Sequence, residues 1–266
     1  MSSDDQATRL LKQHARTTQL LGVDFVPRYR SSIDAPPAPE TTVTESVPRS
    51  ATPSAPGVVP GGEVDNRSRE TVQAALDALR ARYEADAPHK AFVTNFTNIV
   101  FGEGDPLARL CFIGEAPGED EDLSGRPFVG RAGQLLDKMI VAMGLSRTQV
   151  YICNVLKTRP PGNRTPTPDE VAACKPYLLE QLAIIQPHAA VALGLSATHA
   201  LLDTTDSMAR LRSTWREFPD ARGRMVPLMP TYHPAFLLRS YTDENRAKVW
   251  ADLRMVMTRL GMGTKA

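Results

Sequence analysis

The stretch from Leu110 to Gly133, LCFIGEAPGEDEDLSGRPFVGRAG, decides how the fold is interpreted. It opens with an apolar run that ends at a glycine, which is the pattern of a buried β-strand followed by a tight turn. Glycine-rich turns after strands usually hold phosphate with backbone N–H groups. This turn instead carries carboxylates that would repel a phosphate, namely Glu115, Glu119, Asp120, Glu121 and Asp122. We therefore expect it to hold an uncharged group.

Strand and helix patterns alternate on both sides of this stretch. Short apolar runs predict buried strands at Leu110–Ile113, Val150–Cys153, Ala189–Leu193 and Val226–Met229. Apolar residues at helical spacing predict helices over residues 68–84 and 132–143, after Thr167, after Gly194 and near the C-terminus. This alternation predicts an α/β fold in which a mostly parallel sheet has helices on both faces.

The N-terminal quarter of the chain has a different composition. Residues 1–30 contain a short amphipathic pattern that is compatible with a helix, and residues 31–66 are proline-rich. A segment without aromatic residues cannot bury enough apolar surface to offset its ordering entropy, so residues 31–66 are expected to be a disordered linker. The folded domain is predicted to comprise residues 67–266.

Composition limits the possible partners and compartments. The 266 residues carry a formal net charge of +1, so any nucleic-acid surface must be a local patch. Three cysteines without a C-x-x-C pair argue against a disulfide framework and favour a reducing cytoplasm. No apolar stretch approaches the roughly 20 residues of a membrane span, and we expect no signal peptide and no membrane partner.

Polar side chains follow three of the predicted strands. Glu115 follows the first strand, Asn154 the second and His233 the fourth, so these side chains should converge at one edge of a parallel sheet. An amide can donate and accept at once, and Phe128 in the first loop can stack on a flat ring. Histidine can stabilise an oxygen that becomes negative, and carboxylates can support a cationic sugar or a water molecule. The set suits a flat, neutral heterocycle.

Four motifs together closely resemble those of type-4 uracil-DNA glycosylases. They are GEAPGEDE, GRPFVGRAG, N-x-x-K-x-RPPGNR and YHPA, and the resemblance covers about residues 95–260. It implies a three-layer α/β/α fold with a four-stranded, mostly parallel sheet. It also implies a monofunctional glycosylase that hydrolyses the N-glycosidic bond of uracil in single- or double-stranded DNA and leaves an abasic site, as in base excision repair.

The resemblance also implies roles around the base. Phe128 would stack on the flipped uracil, Asn154 would read its edge, and the backbone of Gly114 and Ala116 would face it. His233 would support the uracil anion as it leaves.

Carboxylates of the first motif would complete the catalytic set. Type-1 enzymes have an aspartate that positions water where this chain has Ala116, so Glu115, Asp120 or Glu121 would take that role, and Glu115 is preferred. Glu121 matches an acidic residue near uracil C5 that discourages thymine.

Contacts with DNA are predicted around the pocket. Leu237, after the HPA turn, would enter the duplex as the base leaves the stack. Arg159, Arg164 and Arg239 are candidates for backbone phosphates.

Type-4 enzymes typically hold a [4Fe–4S] cluster on four cysteines, and this chain departs from that pattern. Alignment on the FGEG sequence places the four positions at Ala87, Lys90, Thr158 and Cys174, so a single cysteine remains. Such a cluster normally needs four thiolates. We therefore predict no metal and no cluster, with Cys174 as a core residue and with apolar contacts rebuilt around its former partners.

Some alternatives stay open. Gly118 leaves room for a larger deaminated base, so a hypoxanthine or xanthine glycosylase is one. A non-catalytic protein that binds DNA lesions or single strands on the same scaffold is another. Residues 19–25, QLLGVDF, vaguely resemble a sliding-clamp-binding peptide or form a short unassigned helix. We expect a monomer.

Overall fold

The computed structural model describes residues 67–92 and 96–262. The N-terminal segment 1–30 with its clamp-like residues 19–25 and the proline-rich segment 31–66 lie outside the described residues. Within the described part, every helix is too short or too polar to cross a lipid bilayer.

A six-stranded mixed sheet forms the centre of the domain. In chain order its strands are β1 (Glu103–Gly104), β2 (Leu110–Gly114), β3 (Tyr151–Asn154), β4 (Ala189–Leu193), β5 (Arg216–Pro219) and β6 (Met225–Thr231). They lie side by side in the order β1-β3-β2-β4-β6-β5. The four predicted strands are the central ones and are mutually parallel, as expected.

The two edge strands, β1 and β5, were not predicted. Each pairs antiparallel with its neighbour. β1 has two residues and β5 has a single buried side chain, Phe218, so neither has an alternation that the sequence would reveal.

Strand β6 is longer than predicted at its C-terminal end. The predicted strand ended at Met229, and the next residue, Pro230, lacks the N–H that a strand normally donates. In the structure Pro230 stays in register with Ala192, and the strand continues to Thr231. A proline forfeits one hydrogen bond while its neighbours keep theirs, so the parallel pairing survives. This extension places His233 two residues beyond the edge of the sheet.

Helices cover both faces of the sheet. They are α1 (Arg69–Asp86), α2 (Glu119–Ser124), α3 (Arg131–Ala142), α4 (Pro168–Ile185), α5 (Leu195–Leu202), α6 (Met208–Leu211), α7 (Pro234–Arg239) and α8 (Asp243–Arg259). The predicted start of α4 is confirmed in detail. The Thr167 hydroxyl accepts from the backbone N–H of Glu170, whose carboxylate accepts from the N–H of Thr167.

Two apolar clusters lie on opposite sides of the sheet. One packs α1, α4 and α5 against it and includes Ile113 and Leu178. The other packs α3 and α8 against the opposite face and includes Ile140 and Val256. The predicted three-layer α/β/α architecture is therefore confirmed.

Candidate active site

The site lies where the parallel strands end. Gly114 and Asn154, the last residues of β2 and β3, are paired in register. A cavity of about 680 Å³ opens at this edge of the sheet. Its walls include most of the predicted site residues, namely Gly118 and Glu115, Ala116, Glu121, Phe128, Asn154, Arg164, His233 and Arg239. The four motifs therefore converge, as the sequence predicted.

The side chain of Asn154 lines this cavity with an unused acceptor. The residue is 1% exposed, and its Oδ1 atom has no hydrogen-bond partner among the described residues. A buried amide oxygen without a partner is costly unless a ligand supplies a donor. The orphaned atom therefore marks where a polar ligand edge would be read.

Gly114 leaves the space that the Asn154 amide and the Phe128 ring occupy. A Cβ atom on residue 114 would lie 2.3 Å from Asn154 Oδ1 and 2.5 Å from Phe128 Cζ. Any larger residue would displace both side chains. The glycine is thus required by the close approach of two side chains that line the cavity, although Gly114 itself is not part of the cavity wall.

Gly114→Ala should therefore weaken binding of free uracil, the ligand that the motifs imply, about tenfold or more, because a methyl group would move Asn154 and Phe128. Inhibition by added uracil of the excision that the motifs imply measures this affinity. Gly144→Ala is a matched control, since nothing lies within 4 Å of its Cβ position although its φ is +80°. An unchanged inhibition constant in Gly114→Ala would contradict the proposed position of the base.

The loop that carries Phe128 is held by opposite charges. Phe128 has φ +53°, a left-handed conformation that is rare for an aromatic residue. Glu121 Oε1 accepts from the N–H groups of Val129 and Gly130, at 2.9 Å each. The Arg147 guanidinium donates to the carbonyl oxygens of Pro127 and Phe128. The backbone around Phe128 is therefore held through its N–H groups by Glu121 and through its carbonyl oxygens by Arg147, which fixes the position of the ring.

Glu121 has little remaining capacity for catalysis. In addition to the loop N–H groups, its Oε2 atom accepts from the N–H of Gly118 at 3.1 Å. A Cβ on Gly118 would lie 2.8 Å from that oxygen. Glu121 thus lines the cavity and anchors its wall at once.

His233 is held as a neutral hydrogen-bond donor. Its Nδ1 atom accepts from the N–H of Ala235 at 3.1 Å, so the ring proton of the neutral form sits on Nε2. Burial, helped by the nearby charge of Arg239, lowers the pKa of His233 to about 4. Its ring centroid lies 5.6 Å from that of Phe128. An imidazole N–H is therefore available beside the stacking platform at neutral pH.

Glu115 is the carboxylate with the most suitable environment for a base. It follows β2 directly, and burial raises its pKa although a hydrogen bond from Ser196 opposes this. The next residue, Ala116, lines the cavity beside it. A partly desolvated carboxylate next to a reaction centre binds protons more readily than a free one.

The predicted phosphate contacts differ in their surroundings. Arg159 does not line the cavity and bonds to Asn163 and Glu119. Arg164 lines it, but its guanidinium pairs with the buried carboxylate of Glu170. Arg239 is exposed at the cavity rim.

The structure contradicts the placement of Leu237 as a wedge. Its side chain is 3% exposed and belongs to the apolar cluster beneath α7. Helical geometry turns the next residue outward, and Leu238 is 36% exposed. The sequence alone did not show which of two adjacent leucines faces the core.

The four positions at which type-4 enzymes carry the cysteine ligands of an iron–sulfur cluster do not fit such a cluster in this chain. Ala87, Thr158 and Cys174 are buried, and Lys90 is exposed. The Tyr83 hydroxyl lies 3.8 Å from Cys174 Sγ, and its ring stacks on His89 and contacts Phe101 and Tyr177. Across residues 67–92 and 96–262, no group of three or more His, Cys, Asp or Glu side chains could hold a metal ion.

A second cavity of about 880 Å³ lies between α4 and α5 and shares Glu115 with the first. Its Lys175 is paired with Asp203 at 2.7 Å. In the described part of the chain, no buried unpaired polar atom belongs to its walls. The chemistry therefore belongs to the cavity that contains Asn154.

Comparison with known proteins assigns this fold and site to a class. Residues 101–254 match the model of the uracil DNA glycosylase superfamily, and the chain belongs to that superfamily.

Similarity to individual proteins narrows the assignment. A type-4 uracil-DNA glycosylase of Thermotoga maritima is 48% identical over 160 residues, which are 60% of this chain and 81% of the relative. One of Archaeoglobus fulgidus is 43% identical over 164 residues, with the same coverage of 60% and 81%. A type-5 enzyme of Pyrobaculum aerophilum is 32% identical over 147 residues, 50% of this chain and 63% of the relative. The chain falls in the type-4 group, as its motifs predicted.

Proposed function

We propose that the protein hydrolyses the N-glycosidic bond of uracil in DNA and leaves an abasic site for base excision repair. The observation that carries this proposal is the buried, unpaired Oδ1 of Asn154 beside Phe128 and His233. Its relatives at 43–48% identity are type-4 uracil-DNA glycosylases.

Recognition of the flipped base follows from the walls of the cavity. Asn154 Oδ1 accepts from uracil N3–H while Nδ2 donates to O4, so one amide reads both groups. Cytosine presents the opposite donor and acceptor pattern and leaves both atoms mismatched. Phe128 stacks on the ring, and the Glu121 side of the wall excludes a methyl group at C5.

Bond cleavage separates charge between base and sugar. The C1′–N1 bond breaks and its electron pair stays on uracil. The O2 atom of the resulting anion, which carries negative charge, accepts a hydrogen bond from Nε2–H of His233. Water attacks the cationic C1′ while the Glu115 carboxylate takes its proton. That proton then leaves to the uracil anion or to solvent.

DNA is held at the rim of the cavity. Arg239 contacts a backbone phosphate, and the exposed Leu238 replaces Leu237 as the apolar side chain next to the emptied base stack. Arg159 and Arg164 also bind backbone phosphates. To do so, the phosphates replace Glu119 as the partner of Arg159 and Glu170 as the partner of Arg164.

The test is an excision assay with single- and double-stranded oligonucleotides that carry one uracil, hypoxanthine or xanthine. Alkali cleaves abasic sites, and we expect cleavage of the uracil substrates alone. Tight binding without cleavage would overturn the enzymatic proposal, and equal cleavage of hypoxanthine would overturn uracil specificity. The similarity to type-4 enzymes does not favour either of these alternatives.

We further infer that the protein works without an iron–sulfur cluster. One thiolate cannot replace four, and the Tyr83 ring packs beside that thiol. Protein produced in iron-rich medium should contain less than about one tenth of an iron per chain and lack thiolate-to-iron absorbance, and Cys174→Ser should retain excision. Four irons per active chain would contradict this inference, and Cys111→Ser, outside the four positions, is the matched control.

We also propose a monomer that acts in the cytoplasm on DNA. Three free, buried cysteines suit a reducing compartment. Whether residues 19–25 bind a sliding clamp stays a prediction.

A further inference from the structure

Lys157 is a buried cation three residues beyond Asn154. Its side chain is 0% exposed, and its Nζ atom donates to the Asn154 carbonyl oxygen at 2.9 Å and to Gln181 Oε1 at 2.7 Å. The same atom lies 5.2 Å from the centroid of the Phe101 ring. The ammonium thus has two oxygen acceptors and one aromatic face.

Burial of this cation is costly, which calls for an explanation. Burial lowers the pKa of Lys157, and among the described residues no carboxylate lies at ion-pair distance from it. A methionine would fill a similar volume without this cost. The hydrogen bonds of the ammonium to Asn154 and Gln181 are therefore what a methionine at this position would lack, and they explain why a lysine is buried here.

Gln181 connects the cation to helix α4. Its Nε2 atom donates to the Phe101 carbonyl oxygen at 3.1 Å and to the Tyr151 hydroxyl at 2.9 Å. Both amide protons are therefore used, and Oε1 is held toward Lys157. The amide is itself 0% exposed, so solvent does not compete for these bonds.

The Asn154 carbonyl stands at the point where the strand becomes the active-site loop. The N–H groups of Val155 and Leu156 donate to the carbonyl oxygens of Gly114 and Glu115, at 3.0 and 3.1 Å. These bonds fix the loop to β2 on one side. The ammonium of Lys157 fixes the carbonyl oxygen of the residue whose side chain reads the base.

We propose that Lys157, oriented by Gln181, is a positioning residue that sets the Asn154 amide for uracil. This inference rests on the proposed function, because it concerns the residue that reads the base. A charge-assisted bond to its backbone fixes the Cα position and peptide plane from which the side chain projects. The effect is exerted through Asn154, and Lys157 itself contacts no substrate.

Lys157→Met is expected to lower kcat for uracil excision about tenfold to hundredfold, the scale of a small displacement of a reacting group. The KM for DNA should change less than about twofold, because the phosphate contacts lie at the rim. The inhibition constant of free uracil should rise, since free base senses the amide without DNA. Gln181→Leu, which keeps the Asn154 bond, should give a smaller loss in the same direction.

Combination with Asn154→Ala provides the decisive measurement. If Lys157 acts through the amide, Lys157→Met should change kcat by less than about twofold once the amide is gone. Multiplicative losses in the double variant would overturn the proposal. Should Lys157→Met fail to fold, the same cycle with Gln181→Leu carries the test.

Leu178→Ala is the matched control for general destabilisation. Leu178 lies in α4 like Gln181, is fully buried and makes no hydrogen bond to the site. It should lower Tm at least as much as Lys157→Met while kcat and uracil inhibition stay unchanged, in assays well below the lowest Tm. An equal loss of kcat in Leu178→Ala would refute positioning. If Asn154→Ala loses kcat as expected but Lys157→Met does not, positioning by Lys157 is refuted while the proposed function stands. If Asn154→Ala keeps its kcat, the proposed reading of uracil by Asn154 is refuted.

Discussion

Asn154→Ala should lower kcat for uracil excision by about three orders of magnitude. A site built to hydrogen-bond a substrate loses most of its discrimination when that group is removed. The alanine offers neither an acceptor for N3–H nor a donor for O4. Single-turnover kinetics on a uracil oligonucleotide measure the loss, with DNA affinity measured separately.

Thr158→Val is the matched control for this substitution. Thr158 is fully buried four residues further along the chain, and its hydroxyl has no hydrogen-bond partner among the described residues. Valine has the same shape, so kcat should stay within about twofold of the original value. Retention of full activity in Asn154→Ala would show that the base is read elsewhere.

His233→Ala should lower kcat by about 10²–10³, the usual cost of one donor to a developing oxyanion. His233→Gln keeps an N–H donor and should recover part of the loss. Equal, small effects of both substitutions would contradict a role in anion stabilisation. The KM for DNA should change little, because His233 faces the cavity.

The same residue sets an acid limit. With its pKa lowered to about 4, His233 is neutral through the physiological range, and its contribution to kcat should be flat above about pH 5. Below that, protonation of Nδ1 breaks the bond from Ala235 and kcat should fall. Since an unfolded histidine titrates near 6.5, the unfolded chain binds the proton first, and stability conferred by neutral His233 is lost between about pH 6.5 and 4. A steeper decline in the wild type than in His233→Ala, in which only the protonation of Glu115 lowers kcat, supports the assignment.

The sequence predicted the framework of the site because its motifs directly follow strands that could be recognised as apolar runs. Leu110–Ile113 and Ala189–Leu193 are unbroken apolar runs, and each ends at a glycine where the chain turns. Parallel pairing then brings the ends of these strands to one edge. The positions of Asn154 and His233 follow from that geometry.

Other features could not be predicted because their partners are distant in sequence. Arg147 reaches the Phe128 loop, and Lys157 meets Gln181 from α4; a lone arginine or lysine in a pattern indicates solvent exposure. The burial of Leu237 depends on how α7 packs, which two adjacent leucines do not specify. The predicted strand ended at Met229, whereas parallel pairing with β4 extends it to Thr231.

The left-handed backbone conformation of Phe128 limits which substitutions can reshape this pocket. Its ring stands on a loop clamped by Glu121 and Arg147, so the free energy of shaping the pocket is spent during folding rather than during capture of the base. Substitution of Asn154, which reads the edge of the base, would then alter affinity while the loop that carries Phe128 keeps its conformation. A variant that accepts bulkier lesions would have to begin with the two clamping side chains, behind the surface that the base meets.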